Sequence, residues 1–124
     1  MWTDGGDRSL DALLSTGRPA ALLFVEPGCG PCGALLSELG GWRPALAREL
    51  NLAVIVKGDR DDGRTVGRRH GLDDLMVDEE GATYAAYGVG VTPAAVLVGA
   101  DGRVARAPAA GKDGIEALLR LALN

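Results

Sequence analysis

Uninterrupted apolar runs alternate along the chain with segments whose apolar residues recur at helical spacing. The runs at 20–25 and 52–56 have the length and composition of strands buried on both faces, as in a parallel sheet. Shorter apolar runs at 75–77, 94–98 and 104–106 predict three more strands. An Asp-Gly pair lies between the last two runs, so these two strands are predicted to form a hairpin.

Helical patterning fills the segments between the strands. Apolar residues recur through 32–50 and predict a helix, which Gly40, Gly41 and Pro44 interrupt with a kink or a break. The other predicted helices are a short one capped by Ser9, a weak polar one, a second short one and an amphipathic one, at 9–14, 59–70, 82–87 and 112–123.

Alternating strands and helices followed by a hairpin predict a single α/β domain over residues 1–124. Its central mixed β-sheet is expected to be flanked by helices on both faces, and residues 1–8 are expected to form a loose lead-in. Hydrophobic residues make up 47% of the chain and charged residues 24%, which is ordinary for a folded globular domain.

Charge and hydropathy exclude several classes of function. The net charge of −4 argues against a nucleic-acid binder, because binding to phosphates needs a basic face. No run approaches the roughly 18 apolar residues of a membrane span, and the acidic start lacks the features of an export signal. We therefore expect a soluble monomer, without membrane insertion and cytoplasmic by default.

The two cysteines carry the clearest chemical signal. Cys29 and Cys32 lie between a predicted buried strand and the start of the predicted helix at 32–50. A helix start presents unpaired N–H groups and a positive dipole, which stabilise a thiolate at position 29. Cys29 is therefore predicted to attack disulfides and Cys32 to resolve the mixed disulfide. Pro31 fits the first helical turn, because its missing N–H costs no bond there.

Other interpretations of these cysteines remain open. They can be packing residues, or half of a zinc site, although zinc generally takes four ligands and the chain has one histidine. The glycines at 28, 30 and 33 also match the dinucleotide-binding pattern, with Asp59 as the ribose acid. A proline interrupts that turn, however, and a complete nucleotide-binding fold needs a longer chain. We expect neither a metal nor a cofactor.

Thr92 and Pro93 stand directly before the predicted strand at 94–98. A trans proline can simply begin an edge strand. A cis proline would instead bring its preceding backbone beside the thiols, where it can pair with an extended substrate.

These motifs together resemble the thioredoxin superfamily, most closely the TlpA/ResA-like thiol-disulfide oxidoreductases. The resemblance covers about 20–123 and rests on three stretches, namely Leu-Leu-Phe-Val-Glu-Pro-Gly-Cys-Gly-Pro-Cys, Tyr-Gly-Val-Gly-Val-Thr-Pro-Ala-Ala-Val-Leu-Val and Asp-Gly-Arg-Val. The segment 64–87 is similar to the α/β insertion of this branch. The resemblance implies a thioredoxin-like fold, a redox role for the two cysteines and a cis-proline role for Pro93. The surrounding substrate-binding residues would be Gly28, Gly30, Pro31 and Thr92.

The chain departs from the family pattern around the cysteines. Gly28 replaces the tryptophan that commonly precedes the first cysteine, and Leu23 replaces the buried aspartate of thioredoxins. Leu35 replaces a glutamate frequent in the closer branch. The usual proton acceptor is therefore missing. Glu26 is the nearest acidic candidate for a catalytic role, and its alternative is a solvated loop acid.

The predicted function is reduction or exchange of protein disulfides, with an unidentified electron donor. The Gly-Pro pair between the cysteines matches the reductant thioredoxins and favours reduction. An alternative is an accessory module of a membrane redox system without independent turnover. A peroxidase would need a threonine where Glu26 stands. The resemblance implies an extracytoplasmic role, although the chain shows no export signal.

Five other side chains are predicted to have structural or surface roles. Tyr84 and Tyr87 are expected to pack against the core, and Trp42 is expected beneath the redox helix. His70, within a basic patch, is expected on a solvated surface. Lys57, at the predicted end of its strand, adds positive potential near the cysteines or is simply exposed.

Overall fold

The computed structural model describes residues 2–3, 6–7, 10–72, 75–106 and 108–123. The strands are β1 (Trp2–Thr3), β2 (Gly6–Asp7), β3 (Ala20–Val25), β4 (Asn51–Lys57), β5 (Leu75–Asp78), β6 (Ala94–Val98) and β7 (Ala109–Ala110). The helices are α1 (Leu10–Leu14), α2 (Gly30–Glu49), α3 (Arg60–His70), α4 (Ala82–Ala86) and α5 (Gly111–Leu123). None of the helices in these ranges is both long and apolar enough to cross a membrane.

The described strands form one mixed sheet in the order β2-β1-β5-β4-β3-β6-β7. Strands β3, β4 and β5 run parallel to one another, while β6 lies antiparallel to β3 and β1 lies antiparallel to β5. β3 therefore has a hydrogen-bonded partner on both edges. Because its register pairs Val25 with Val56, the carboxyl ends of β3 and β4 meet at one edge of the sheet.

Both faces of the sheet are covered, which confirms the predicted α/β architecture. Alternate side chains of β3 point to opposite faces, as strand geometry requires. Ala21, Leu23 and Val25 pack with residues of α2, α3 and α5, whereas Leu22 and Phe24 pack on the opposite face with residues of α1 and α4. Every residue of β3 is 0% exposed, so the predicted doubly buried strand is confirmed.

Of the kink or break predicted in the main helix, the break is wrong, because α2 is one helix over Gly30–Glu49 with Pro44 inside it. A proline at this position removes a single backbone hydrogen bond. Leu39 and Leu46 lie on the two sides of the interruption and are both buried, at 1% and 0% exposure. Their burial on one helix face holds both halves of α2 against the sheet.

The predicted reversal at Asp101-Gly102 is present, with the Ala105 N–H donating to the Leu97 carbonyl at 2.8 Å, but the predicted strand at 104–106 is not formed. Val104 makes only an isolated bridge to Val98, and it is 50% exposed, so the segment has no apolar face to bury. On its edge away from β3, β6 pairs antiparallel with β7, which follows in the chain.

Helix α3, which the sequence predicts only weakly, has a clear capping structure at both ends. Asp59 and Asp62 form a reciprocal capping box at the start of α3, and Gly71 ends the helix in the left-handed conformation. Of the expected lead-in, the described residues form β1 and β2. Ser9, the predicted cap of α1, lies outside the described residues.

A charged cluster joins α2 to α5. Lys112 Nζ lies 2.9 Å from Glu38 Oε1 and 3.6 Å from Glu116 Oε1. A hydrogen bond between the two carboxyl groups lowers the pKa of Glu38 and raises that of Glu116, and Lys112 further lowers the pKa of Glu38.

Candidate active site

The loop that carries the cysteines follows directly from the most buried strand. β3 ends at Val25, and the backbone turns through Glu26, Pro27 and Gly28 before α2 begins. Gly28 has a φ of +76°, a left-handed conformation that glycine adopts without steric cost. The Cys29 N–H donates to the Glu26 carbonyl at 3.4 Å and closes the turn.

Cys29 and Cys32 form a disulfide at the start of α2, with their Cα atoms 5.2 Å apart. Cys29 is the N-cap residue, and its Sγ accepts the backbone N–H of Cys32 at 3.2 Å. Cys32 is 2% exposed and belongs to the core, while Cys29 is half-buried at its rim. Molecules in solution therefore reach one sulfur of the pair far more easily than the other.

The loop before β6 lies against the exposed sulfur. The Thr92–Pro93 peptide bond is cis, and the Thr92 carbonyl oxygen lies 3.8 Å from Cys29 Sγ. The Thr92 hydroxyl lies 4.0 Å from the same sulfur and donates to Glu26 Oε2 at 2.9 Å. Thr92, which is 66 residues from Glu26 in the sequence, thus connects the Glu26 carboxylate to the Cys29 side of the disulfide.

Lys57 completes the charged surroundings of the site. Its Nζ lies 3.9 Å from Glu26 Oε1, and both side chains are nearly half exposed, at 49% and 41%. The pair forms because the ends of β3 and β4 are adjacent in the parallel sheet. An ion pair this exposed adds little stability, about 0–1 kcal/mol. It does place one positive charge beside the Glu26 carboxylate.

Tyr84 holds the strand ends beneath this loop, a role that the sequence reading missed. Its ring packs edge-on against Phe24, as predicted for a packing residue, with centroids 4.9 Å apart. Its hydroxyl also donates to the Val25 carbonyl and lies 3.0 Å from that of Ile55. The pKa of Tyr84 is raised mainly by burial and secondly by the negative charge of Glu26, so the hydroxyl stays protonated. A tyrosine at helical spacing gives no local signal of such a bond.

Asp78 orients Tyr84 from the other side. Its carboxylate accepts the backbone N–H groups of Thr83 and Tyr84 at 2.9 Å and 3.1 Å, and it is 7% exposed. The start of α4 is thereby tied to the end of β5. This contact also escaped the sequence reading.

The remaining predicted residues fall into three places. Gly30 and Pro31 are exposed beside the disulfide, while Leu23 and Leu35 are buried. Trp42 is partly buried at the edge of the core, away from the disulfide turn. Among the described residues, no group of three acidic, histidine or cysteine side chains is arranged to hold a metal.

No protein-family model matches the chain, and no curated protein matches it significantly. Solved structures do. A secreted Mycobacterium tuberculosis disulfide oxidoreductase homologous to E. coli DsbE is 26% identical, with a TM-score of 0.71 over 97% of this chain and 92% of that one. The N-terminal domain of PilB from Neisseria gonorrhoeae is 20% identical, with a TM-score of 0.79 over 100% and 87%.

The thioredoxin domain of a Bacteroides vulgatus thiol-disulfide oxidoreductase is 14% identical, with a TM-score of 0.78 over 99% of this chain and 91% of that one. These likenesses confirm the thioredoxin-like fold that the sequence predicts. The similar structures include thiol-disulfide oxidoreductases, consistent with the resemblance to the TlpA/ResA-like branch, and this chain carries a bonded cysteine pair.

Proposed function

We propose that this protein is a dithiol-disulfide oxidoreductase that reduces or exchanges disulfides of protein substrates. The observation that carries the proposal is the disulfide at the start of α2, with Cys29 reachable and Cys32 buried behind it. A structural disulfide needs no difference in access between its two sulfurs. A redox-active pair needs this difference, because one sulfur must react with the substrate while the other stays protected until it forms the intramolecular disulfide.

The reaction begins from the reduced dithiol. The Cys29 thiolate attacks one sulfur of the substrate disulfide, forms a mixed disulfide and releases the other substrate sulfur as a thiolate. Cys32 then loses its proton and attacks Cys29 Sγ, which restores the observed Cys29–Cys32 bond and releases the second substrate thiol. Two electrons have passed from the protein to the substrate, whose two thiols take up the proton that Cys32 loses and the proton that left Cys29 when its thiolate formed. An external electron donor reduces the pair again.

The start of α2 supplies what the first step needs. The Cys32 N–H lies 3.2 Å from Cys29 Sγ and can donate to a thiolate there. The positive end of the helix dipole also favours negative charge at this position. Both effects lower the pKa of the Cys29 thiol below the value of about 8.5 that a free cysteine has.

Pro93, Thr92 and Glu26 are proposed as the supporting catalytic and binding groups. An extended substrate would pair with the backbone before Pro93, beside Cys29, as an added strand. Gly28, Gly30 and Pro31 would line the same surface. We propose Glu26 as the acceptor of the Cys32 proton, supported by its hydrogen bond to Thr92 beside the disulfide.

The direction is proposed to be reduction, because the Gly-Pro pair between the cysteines matches the reductant thioredoxins. The partners would be a disulfide-bearing protein and a separate electron donor, and the chain would act as a monomer. Similarity to a secreted disulfide oxidoreductase supports an extracytoplasmic site of action.

Two single variants test this assignment with an insulin-reduction assay. Cys29→Ser should abolish reduction, while Cys32→Ser should accumulate mixed disulfides that separate on non-reducing gels. Full activity of Cys29→Ser would overturn the role of Cys29.

Alkylation of the reduced protein across pH separates the enzyme from a merely accessory module. In the enzyme, Cys29 reacts at clearly lower pH than Cys32. Equal reactivity of the two thiols at ordinary thiol pH would favour the accessory module.

A further inference from the structure

A cavity of about 250 Å³ opens beside the disulfide, between α2 and α3. Cys29, Cys32 and Leu36 form its wall on the α2 side, and Val66, Arg69 and His70 contribute from α3. Sites for whole small molecules generally measure about 300–1,000 Å³. This cavity therefore suits a single side chain of a peptide better than a complete cofactor.

The two ends of the cavity differ in charge. At the sulfur end, the Glu26 carboxylate is occupied by the Thr92 hydroxyl and by Lys57. At the α3 end, Arg69 is exposed and His70 is half-buried. Within the described ranges, Arg69 has no carboxylate within ion-pairing distance. Its guanidinium charge is thus available to a ligand.

Burial first, then the charge of Arg69, lowers the pKa of His70. At neutral pH the imidazole is accordingly neutral and can donate one hydrogen bond. The α3 end therefore offers one permanent cation and one neutral donor, a combination that accepts a carboxylate.

The proposed binding mode places one substrate side chain at this cavity. In an extended peptide paired beside Pro93, residues two apart point to the same face and lie about 6.6 Å apart. The side chain two positions from the attacked cysteine therefore points toward the protein, next to Cys29. Cys29 and Arg69 both line the cavity.

We propose that this cavity is a specificity subsite for an acidic side chain two residues from the attacked cysteine of the substrate. Arg69 supplies the cation and His70 a hydrogen bond. The subsite rests on the proposed disulfide exchange and adds the substrate class, namely protein disulfides flanked by carboxylates.

The test uses three disulfide-linked peptide homodimers of sequence acetyl-Ala-Xaa-Ala-Cys-Ala-Xaa-Ala-amide, where Xaa is Glu, Gln or Lys. The acidic residue stands on both sides of the cysteine, so the direction of binding does not matter. The reduced protein is mixed with each peptide, and kcat/KM is measured with an excess of chemical reductant that does not itself reduce the peptide during the assay.

We expect kcat/KM for the Glu peptide to exceed that for the Gln peptide by about fivefold, the size of one favourable exposed ion pair. Arg69→Gln should bring this ratio close to one, and Arg69→Glu should shift the preference to the Lys peptide. The matched control is Arg68→Gln, which removes the same charge from a neighbouring exposed residue outside the cavity wall. It should keep the wild-type ratio.

A wild-type ratio near one, or equal loss of the ratio in Arg68→Gln and Arg69→Gln, would overturn the subsite. In the second case the effect would come from the general field of α3. Absence of turnover with all three peptides would instead contradict the proposed exchange activity, so the two failures are distinguishable.

Discussion

Removing one buried hydroxyl tests how the redox loop is anchored. Tyr84→Phe keeps the ring that packs on Phe24 but removes the donor to the Val25 carbonyl. A typical buried hydrogen bond contributes about 0.5–1.5 kcal/mol, and a buried carbonyl left with one donor fewer adds to the loss. We expect the free energy of unfolding to fall by about 1–2 kcal/mol.

Urea denaturation of the oxidised protein measures this change. With a slope near ~1.5 kcal/mol per molar urea, the midpoint should fall by about 1 M while the slope stays constant. Tyr84→Ala also removes the ring and should cost about 3–5 kcal/mol, which separates the packing contribution from that of the hydroxyl. A Tyr84→Phe variant as stable as the wild type would refute the anchoring role.

The same pair of proteins has a defined pH dependence. Burial raises the pKa of Tyr84 above its ordinary value of 10.0, so the folded protein holds the phenol proton more tightly than the unfolded chain. The hydroxyl's contribution is therefore complete below pH 10 and is lost as the pH rises above it. The stability difference between wild type and Tyr84→Phe should narrow there. A constant difference from pH 8 to pH 11 would contradict the burial of a protonated donor.

Four further variants test other parts of the structure. Glu26→Gln removes the proposed proton acceptor, so the pH optimum of insulin reduction should rise; an unchanged pH profile removes Glu26 from the mechanism. Gly67→Ala should destabilise the protein by about 1–3 kcal/mol, because the new Cβ would lie 2.8 Å from a backbone carbonyl oxygen. Gly40→Ala, whose new Cβ has no neighbour within 4 Å, should stabilise the protein by about 0.5–1 kcal/mol. If the urea midpoints of the Gly67→Ala and Gly40→Ala variants shifted in the same direction, this steric explanation would be contradicted. Lys112→Met removes the cation that pairs with Glu38 and Glu116. Because the two carboxylates carry more negative charge at pH 7 than at pH 4, Tm should fall more at pH 7, and equal decreases in Tm at the two pH values would exclude this charge effect.

The sequence predicts those parts of the fold that depend on local pattern. The apolar run at 20–25 predicts the central strand, because only a doubly covered strand is apolar at every position. The spacing of Cys29 and Cys32 at a strand-to-helix turn likewise predicts two adjacent sulfurs, which the structure joins in a disulfide. These features need no knowledge of the rest of the chain.

Contacts between distant segments could not be predicted in this way. The hydrogen bond from Thr92 to Glu26 spans 66 residues, and the bond from Tyr84 to Val25 spans 59. The hairpin prediction was right about the turn and wrong about the length of its second strand. An Asp-Gly turn favours reversal of the chain, but whether the pairing continues beyond the bridge at Val104 depends on apolar cover that the local sequence does not reveal.

Solvent exposure changes sharply between Val25, the last residue of β3, and Glu26, the residue that follows it. All six residues of β3 are solvent-inaccessible and pair on both sides, so their amides should exchange with deuterium only through global unfolding. Glu26, the next residue, is already open to solvent. The turn that carries the cysteines therefore follows directly from β3, the strand whose amides are expected to exchange most slowly. A partner can bind at this turn and leave it without loosening β3.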